Sequence, residues 1–109
     1  MTDGESPKYP LERRELIAES HGLRVQVLTI GSGQCVPWHR HTAIADTFFC
    51  LESPMVVESR EPDERHLLGV GDSLRVPAGR LHTVSGLDAA RCRFVIIQGV
   101  GKYDYIPVD

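Results

Sequence analysis

The chain has 109 residues, with 12 Lys and Arg against 15 Asp and Glu and a formal net charge of -3, which allows one compact core and one principal site. Hydrophobic residues make up 41% and charged residues 25%, a globular balance that excludes a disordered tail or a fibrous repeat. No Lys/Arg cluster interleaved with aromatics is present to neutralise a phosphate backbone, which argues against nucleic acid. The longest apolar runs, such as Phe94 to Ile97, fall far short of the roughly 20 residues of a membrane span. The opening MTDGESPKYP lacks the basic start and apolar block of a secretory signal, so a soluble cytoplasmic protein with no membrane partner is expected. Cys35, Cys50 and Cys92 are an odd number without a C-x-x-C pair, and are expected to be reduced and mostly buried.

Residues 1–10 are expected to be loose, with 11–109 forming the single domain. Leu11 to Ser20 contains Glu, Arg, Leu and Ala, which favour helix, yet its apolar residues make no clean 3.6-residue stripe; a short extended arm is the favoured reading. Leu23-Arg24-Val25-Gln26-Val27 alternates apolar and polar as a half-buried strand does, and runs through Leu28 and Ile30 to a turn at Gly31-Ser32-Gly33. Further strands are predicted at Val36 to His41, Thr47 to Glu52, Met55 to Ser59, His66 to Val70, Ser73 to Val76, His82 to Ser85 and Arg93 to Gln98. Turn chemistry separates them at Ser53-Pro54, Gly71-Asp72, Pro77-Ala78-Gly79 and Gly86-Leu87-Asp88, and the charged run Arg60 to Arg65 reads as an exposed hairpin loop. This regular punctuation is that of an all-β sandwich or barrel. His21 and His66 fall in a turn and near a strand start, and are read as solvated.

The other three histidines form a pattern. His39 and His41 lie two apart in a predicted strand, so both imidazoles share one face of the sheet, as two ligands of one ion must. Asp46 opens the next strand and His82 another, which together would make an N₃O site with open positions, suited to Fe(II), Mn(II), Ni(II), Cu(II) or Zn(II). Phe48 and Cys50 share parity with Asp46 and are expected to wall the same interior, with Phe94 as a further pocket-lining residue. Trp38 and Arg40 have the opposite parity and are assigned to surface or subunit contact.

Here the sequence resembles the cupins, whose small barrel carries two motifs. For the first, G-x5-H-x-H-x3-4-E-x6-G, the chain offers Gly33, His39, His41 and then Asp46 in place of glutamate, with Ser53 in place of the last glycine. For the second, G-x5-P-x-G-x2-H-x3-N, Gly71, Pro77, Gly79 and His82 match, while Gly86 replaces asparagine. The resemblance implies an all-β, cupin-type double-stranded β-helix holding one divalent metal ion through His39, His41 and His82. Asp46, one methylene shorter than glutamate, could ligate directly, orient a histidine or act through water.

The resemblance also implies a small metal-dependent enzyme, an oxygenase ahead of an isomerase or lyase, acting on a small polar or aromatic metabolite that chelates the metal. The alternative is a non-catalytic sensor or carrier of a small ligand. Tyr103, Asp104 and Tyr105 could close one end of the barrel, and a tyrosine there could act as acid or clamp, with edge packing as the plainer reading. A homodimer is expected, because a short barrel exposes sheet edges and the arm from Leu11 to Ile17 is suited to join a partner's sheet.

Overall fold

The computed structural model describes residues 9–108, so the expectation of a loose start lies, for positions 1–8, outside the described residues. At Tyr9 that expectation fails. Its side chain packs against the core and its ring centroid lies 5.7 Å from that of Tyr105, and the burial of an aromatic ring offsets the entropy of ordering it.

The strands are β1 (Arg13–Ser20), β2 (Leu23–Ile30), β3 (Cys35–Arg40), β4 (Ala45–Glu52), β5 (Met55–Ser59), β6 (Glu64–Leu68), β7 (Ser73–Val76), β8 (His82–Gly86), β9 (Cys92–Gly99) and β10 (Ile106–Pro107). One sheet has the order β1-β2-β9-β4-β7 and the other β10-β3-β8-β5-β6, with every pair antiparallel. Inward residues of both sheets merge in one core that includes Leu28, Ile30, Phe48, Met55, Val57, Val84 and Phe94. This is the expected double-stranded β-helix. No helix among the described residues is long and apolar enough to cross a membrane.

The extended arm is β1, and it pairs with β2 of its own chain, with a bulge between Leu16 and Ala18. β6 starts at Glu64 rather than His66, because Glu64 and Arg65 already pair with Ser59 and Glu58; the turn is therefore shorter than the charged run. A larger correction concerns β2. A half-buried strand of its pattern turns Leu23, Val25 and Val27 inward, but Leu23 is 36% exposed while Arg24 and Gln26 are buried on the same parity as Leu28 and Ile30. The reason is polar: both side chains join a buried hydrogen-bond network described below.

Two local devices deliver the histidines. β3 pairs with β8 through a register shift between Val36 and His39, and Pro37, which has no N–H to give a ladder, sits within it. The extra residue brings Val36 and His39, three apart, to the same interior. Before β8, Gly79 adopts φ +83° and its N–H donates to His41 O at 2.7 Å, tying the turn that launches His82 to the strand end that carries His41. The departures from the motifs also have backbone reasons. A Cβ at Gly86 would lie 1.7 Å from Ala90 O, which excludes asparagine there, and Ser53 takes φ 63°, the left-handed conformation that glycine adopts at less cost.

Candidate metal centre

His39 from β3, His41 just beyond it, Asp46 from β4 and His82 from β8 are all buried, and their ligand atoms lie within 4.8 Å of one another. His39 and His82 are direct partners in the β3–β8 ladder. Asp46 is the second residue of β4, paired with Val76 on one side and Gln98 on the other, so its carboxylate projects between the sheets. The structure thus brings together the four residues that the sequence singled out.

Each imidazole is held from behind by a backbone carbonyl. Nδ1 of His39 donates to Pro37 O at 2.8 Å, Nδ1 of His82 to Arg80 O at 2.8 Å, and Nδ1 of His41 to Asp104 O. A carbonyl oxygen can only accept, so the proton of each ring belongs on Nδ1, and a neutral ring presents the Nε2 lone pair to the centre. Asp46 Oδ2 stands 2.9 Å from Nε2 of His41, 2.9 Å from Nε2 of His82 and 3.8 Å from Nε2 of His39. Three lone pairs and a carboxylate facing one point repel unless a cation lies among them. Donors about 2.1 Å from a shared ion stand roughly 3 to 4 Å apart, so these separations fit a divalent metal.

The proton balance agrees. Burial works against charge on Asp46, but the imidazoles of His39, His41 and His82 gathered around it outweigh burial and hold the carboxyl well below the usual range. Burial also works against charge on His41, yet the hydrogen bond and charge of Asp46 and the Asp104 carbonyl raise its pKa. For His39 burial prevails and lowers it. The carboxylate therefore already recruits positive charge to the cluster.

A second ring of polar groups was not legible as part of the site. Gln98 Nε2 donates to Asp46 Oδ1 at 3.3 Å, while its Oε1 accepts from Arg24 Nε at 3.2 Å, Arg24 Nη2 at 3.1 Å and Gln26 Nε2 at 3.4 Å. Such partners fix a ligand's orientation. The available signal was parity: Arg24 and Gln26 share the parity of Leu28 and Ile30, and Gln98 that of Phe94 and Ile96, so inward strand positions turn polar together.

Tyr105 stacks on His39 with ring centroids 4.7 Å apart and an 18° interplanar angle, and the Tyr103 ring lies 5.3 Å from that of His41. Simple edge packing is thereby corrected: both rings, with Tyr9, line the cavity at the centre. Burial pushes the Tyr105 phenol up to about 12. Phe48 and Phe94 line that cavity too, but Cys50 is not among its lining residues; its thiol donates to Ser53 O at 3.1 Å, and burial raises its pKa. The correction has a spacing cause, since Cys50 lies four residues along β4 from Asp46 and so one inward layer beyond Phe48. Cys50 and Cys92 are buried, Cys35 is exposed, and none is bridged. Trp38 lies under the Arg60 guanidinium, 4.0 Å from its ring centroid; Arg40 and His21 are exposed, and the imidazole of the partly buried His66 pairs with Glu64 at 3.1 Å.

Comparison with known proteins now decides the family. The cupin domain profile matches residues 26–98. The chain belongs to the cupins. Among solved structures, a double-stranded β-helix protein from Klebsiella pneumoniae is similar with TM-score 0.76 and 19% identity over 96% of this chain and 89% of that one. The cupin is also similar to a Thermus thermophilus protein, with TM-score 0.72 and 23% identity over 81% and 82% of the chains. An oxalate oxidase shares the fold with TM-score 0.71 at 13% identity, over 80% of this chain and 46% of that one. No curated protein sequence matches the chain.

Proposed function

We propose that this cupin is a small metal-dependent enzyme, an oxygenase acting on a small polar or aromatic metabolite at a mononuclear centre of His39, His41, His82 and Asp46. The observation that carries the reading is the shared orientation of three imidazoles, each with Nδ1 bound to a backbone carbonyl and Nε2 turned toward one carboxylate oxygen. A bound divalent ion would supply Lewis acidity there and, if redox-active, one-electron chemistry with O₂. That an oxalate oxidase shares the fold supports the choice, because the barrel accommodates oxidation chemistry.

The chain's own groups divide the remaining work. The three carbonyls lock the rings, and Gln98 holds Asp46 so that Oδ2 faces the imidazoles. Tyr103 and Tyr105 wall the centre, and the Tyr105 phenol, with its pKa raised to about 12 by burial, stays protonated at neutral pH and can donate a hydrogen bond. The cavity at the centre measures about 10 Å³, space for roughly one water-sized group, so a larger metabolite needs its wall to move.

One observation favours the second reading, a sensor or carrier. Besides the ligands, the described residues lining the cavity offer no titratable group other than tyrosines. Loading metal-free protein with Fe(II), Mn(II), Ni(II), Cu(II) or Zn(II) and screening catechols, keto acids and sugar acids separates the cases. Turnover that needs a redox-active metal and consumes O₂ supports the oxygenase; turnover with zinc and no O₂ makes it an isomerase or lyase; tight binding without turnover makes it a carrier.

The proposal includes a homodimer. β1 is an open sheet edge on which Leu16 and Ile17 are 56% and 60% exposed. Light scattering at micromolar concentration checks this, and a monomer there overturns it.

A further inference from the structure

The cavity at the centre has one wall that is not built on strands. Of the described residues lining it, Tyr9, His41, Tyr103 and Tyr105 lie outside the strands, and the other lining side chains project from β2, β3, β4, β8 and β9. A ladder holds strand backbone in place, so the wall freest to move is the segment 100–105 between β9 and β10, which carries two of these tyrosines. On its outer side lies a surface cleft of about 570 Å³, which Gln98 and Tyr103 line as they line the cavity. The Tyr103 ring therefore divides the centre from a space large enough to receive it.

Asp104 ties that segment down through two atoms. Its carbonyl accepts from Nδ1 of His41, and its Oδ1 accepts from the Thr42 N–H at 2.8 Å. One residue thus grips two consecutive residues just beyond β3, and the side-chain bond fixes where the carbonyl points. On either side the segment is anchored by backbone: the Gly101 N–H donates to Gly22 O at 2.9 Å, and β10 pairs with β3. The other two imidazoles are held differently. Nδ1 of His39 and of His82 bonds a carbonyl two residues earlier in the chain, whereas His41 takes its carbonyl from 63 residues away. The orientation of His41 therefore depends on the segment staying in place.

We propose that Asp104 is a positioning residue of the metal centre, acting through His41, and that its bond to Thr42 is the latch of the tyrosine wall. With the latch closed, the carbonyl fixes the imidazole, Tyr105 stays stacked on His39, and Tyr103 stays beside His41. With it open, the wall yields toward the cleft and a metabolite reaches the ion. The Thr42–Asp104 bond is exposed, so water can replace either partner and the latch opens without unfolding the barrel. The ion rests on the metal-enzyme reading; the hold of Asp104 on His41 does not.

The test compares Asp104→Ala, which removes the acceptor, with Asp104→Asn, which keeps an Oδ1 able to accept from Thr42, in the full chain with and without Zn(II). Asp104→Ala should raise Thr42 amide exchange about tenfold. It should also weaken Zn(II) affinity and speed Zn(II) release to EDTA, each about tenfold, while Asp104→Asn stays within about threefold of the wild type on every readout. If Asp104→Ala does not fold, Asp104→Glu takes its place, because the added methylene shifts the carboxylate off Thr42. A merely structural role would lower the unfolding midpoint and spare Zn(II) release. Unchanged release from Asp104→Ala, or equal loss in both variants, would overturn the proposal. Wild-type protein that takes up no Zn(II) would refute the metal centre alone. The latch is then decided in metal-free protein by ¹⁵N shifts of the His41 ring: changed by Asp104→Ala and restored in Asp104→Asn, it stands; unchanged by Asp104→Ala, it falls.

Discussion

The two ends of the barrel interior are built on the same strands and differ in what those strands turn inward. Along β2 the inward positions run Arg24, Gln26, Leu28, Ile30; along β4, Asp46, Phe48, Cys50; along β9, Cys92, Phe94, Ile96, Gln98. Register places Arg24 and Asp46 on either side of Gln98, and Leu28 and Cys50 on either side of Phe94. One end is thus a hydrogen-bonded layer around a carboxylate, and the other a close-packed apolar layer. The comparison shows that burial alone does not name a core: buried polar side chains are tolerated where each finds a partner, and in this chain those partners converge on one point.

Removing a ligand should break the polar end most severely. His39→Ala, His41→Ala and His82→Ala should each lower metal affinity by more than about a hundredfold, the upper limit for outer partners, as read by equilibrium dialysis and elemental analysis. Asp46→Asn should do the same if the carboxylate ligates, since Oδ2 is the atom shared by the imidazoles. In the apolar end, Phe94→Ala should cost about 3–5 kcal/mol by denaturant unfolding, with metal stoichiometry unchanged in the folded fraction. A smaller loss would mean that this end is looser than its full burial implies.

The next effect sharpens the contrast. Gln98→Ala removes a donor to Asp46 without touching the imidazoles and should lower metal affinity about 10- to 100-fold. Its inward neighbour on β9, Ile96→Val, should cost about 1 kcal/mol and leave the metal unaffected.

Between these ends the sequence was unevenly informative. His39, His41, Asp46 and His82 were legible because a two-residue spacing and matched turn glycines are local signals. Arg24, Gln26 and Gln98 were not, because inward polar residues give the alternation of an ordinary half-buried strand with its faces exchanged; only the contact with Asp46, 52 residues from Gln98 in sequence, reveals which face is inside. Cys50 was misplaced for a related reason: parity fixes the face of a strand but not the depth along it.

A pH titration gives a gentler test of the polar end. The raised pKa of His41 means that a proton competes with metal above the ordinary imidazole value of about 6.5. Apparent affinity should therefore keep rising with pH beyond that value and release a proton on binding, by calorimetry in buffers of different ionisation enthalpy; a profile flat above it contradicts the assignment. The same shift makes a sign for metal-free stability: His41 contributes fully below its unfolded pKa, and the contribution disappears as pH rises through the folded one. Smallest of all, Ser53→Gly should relieve the left-handed strain at φ 63° and change stability by no more than about 1 kcal/mol, in the stabilising direction.

The central claim, that one divalent ion sits among His39, His41, His82 and Asp46, is tested most directly by elemental analysis of protein loaded with Zn(II) and dialysed against buffer. The account predicts one ion per chain in the wild type and none in His82→Ala. Full occupancy in that variant, with the fold intact by circular dichroism, would contradict it.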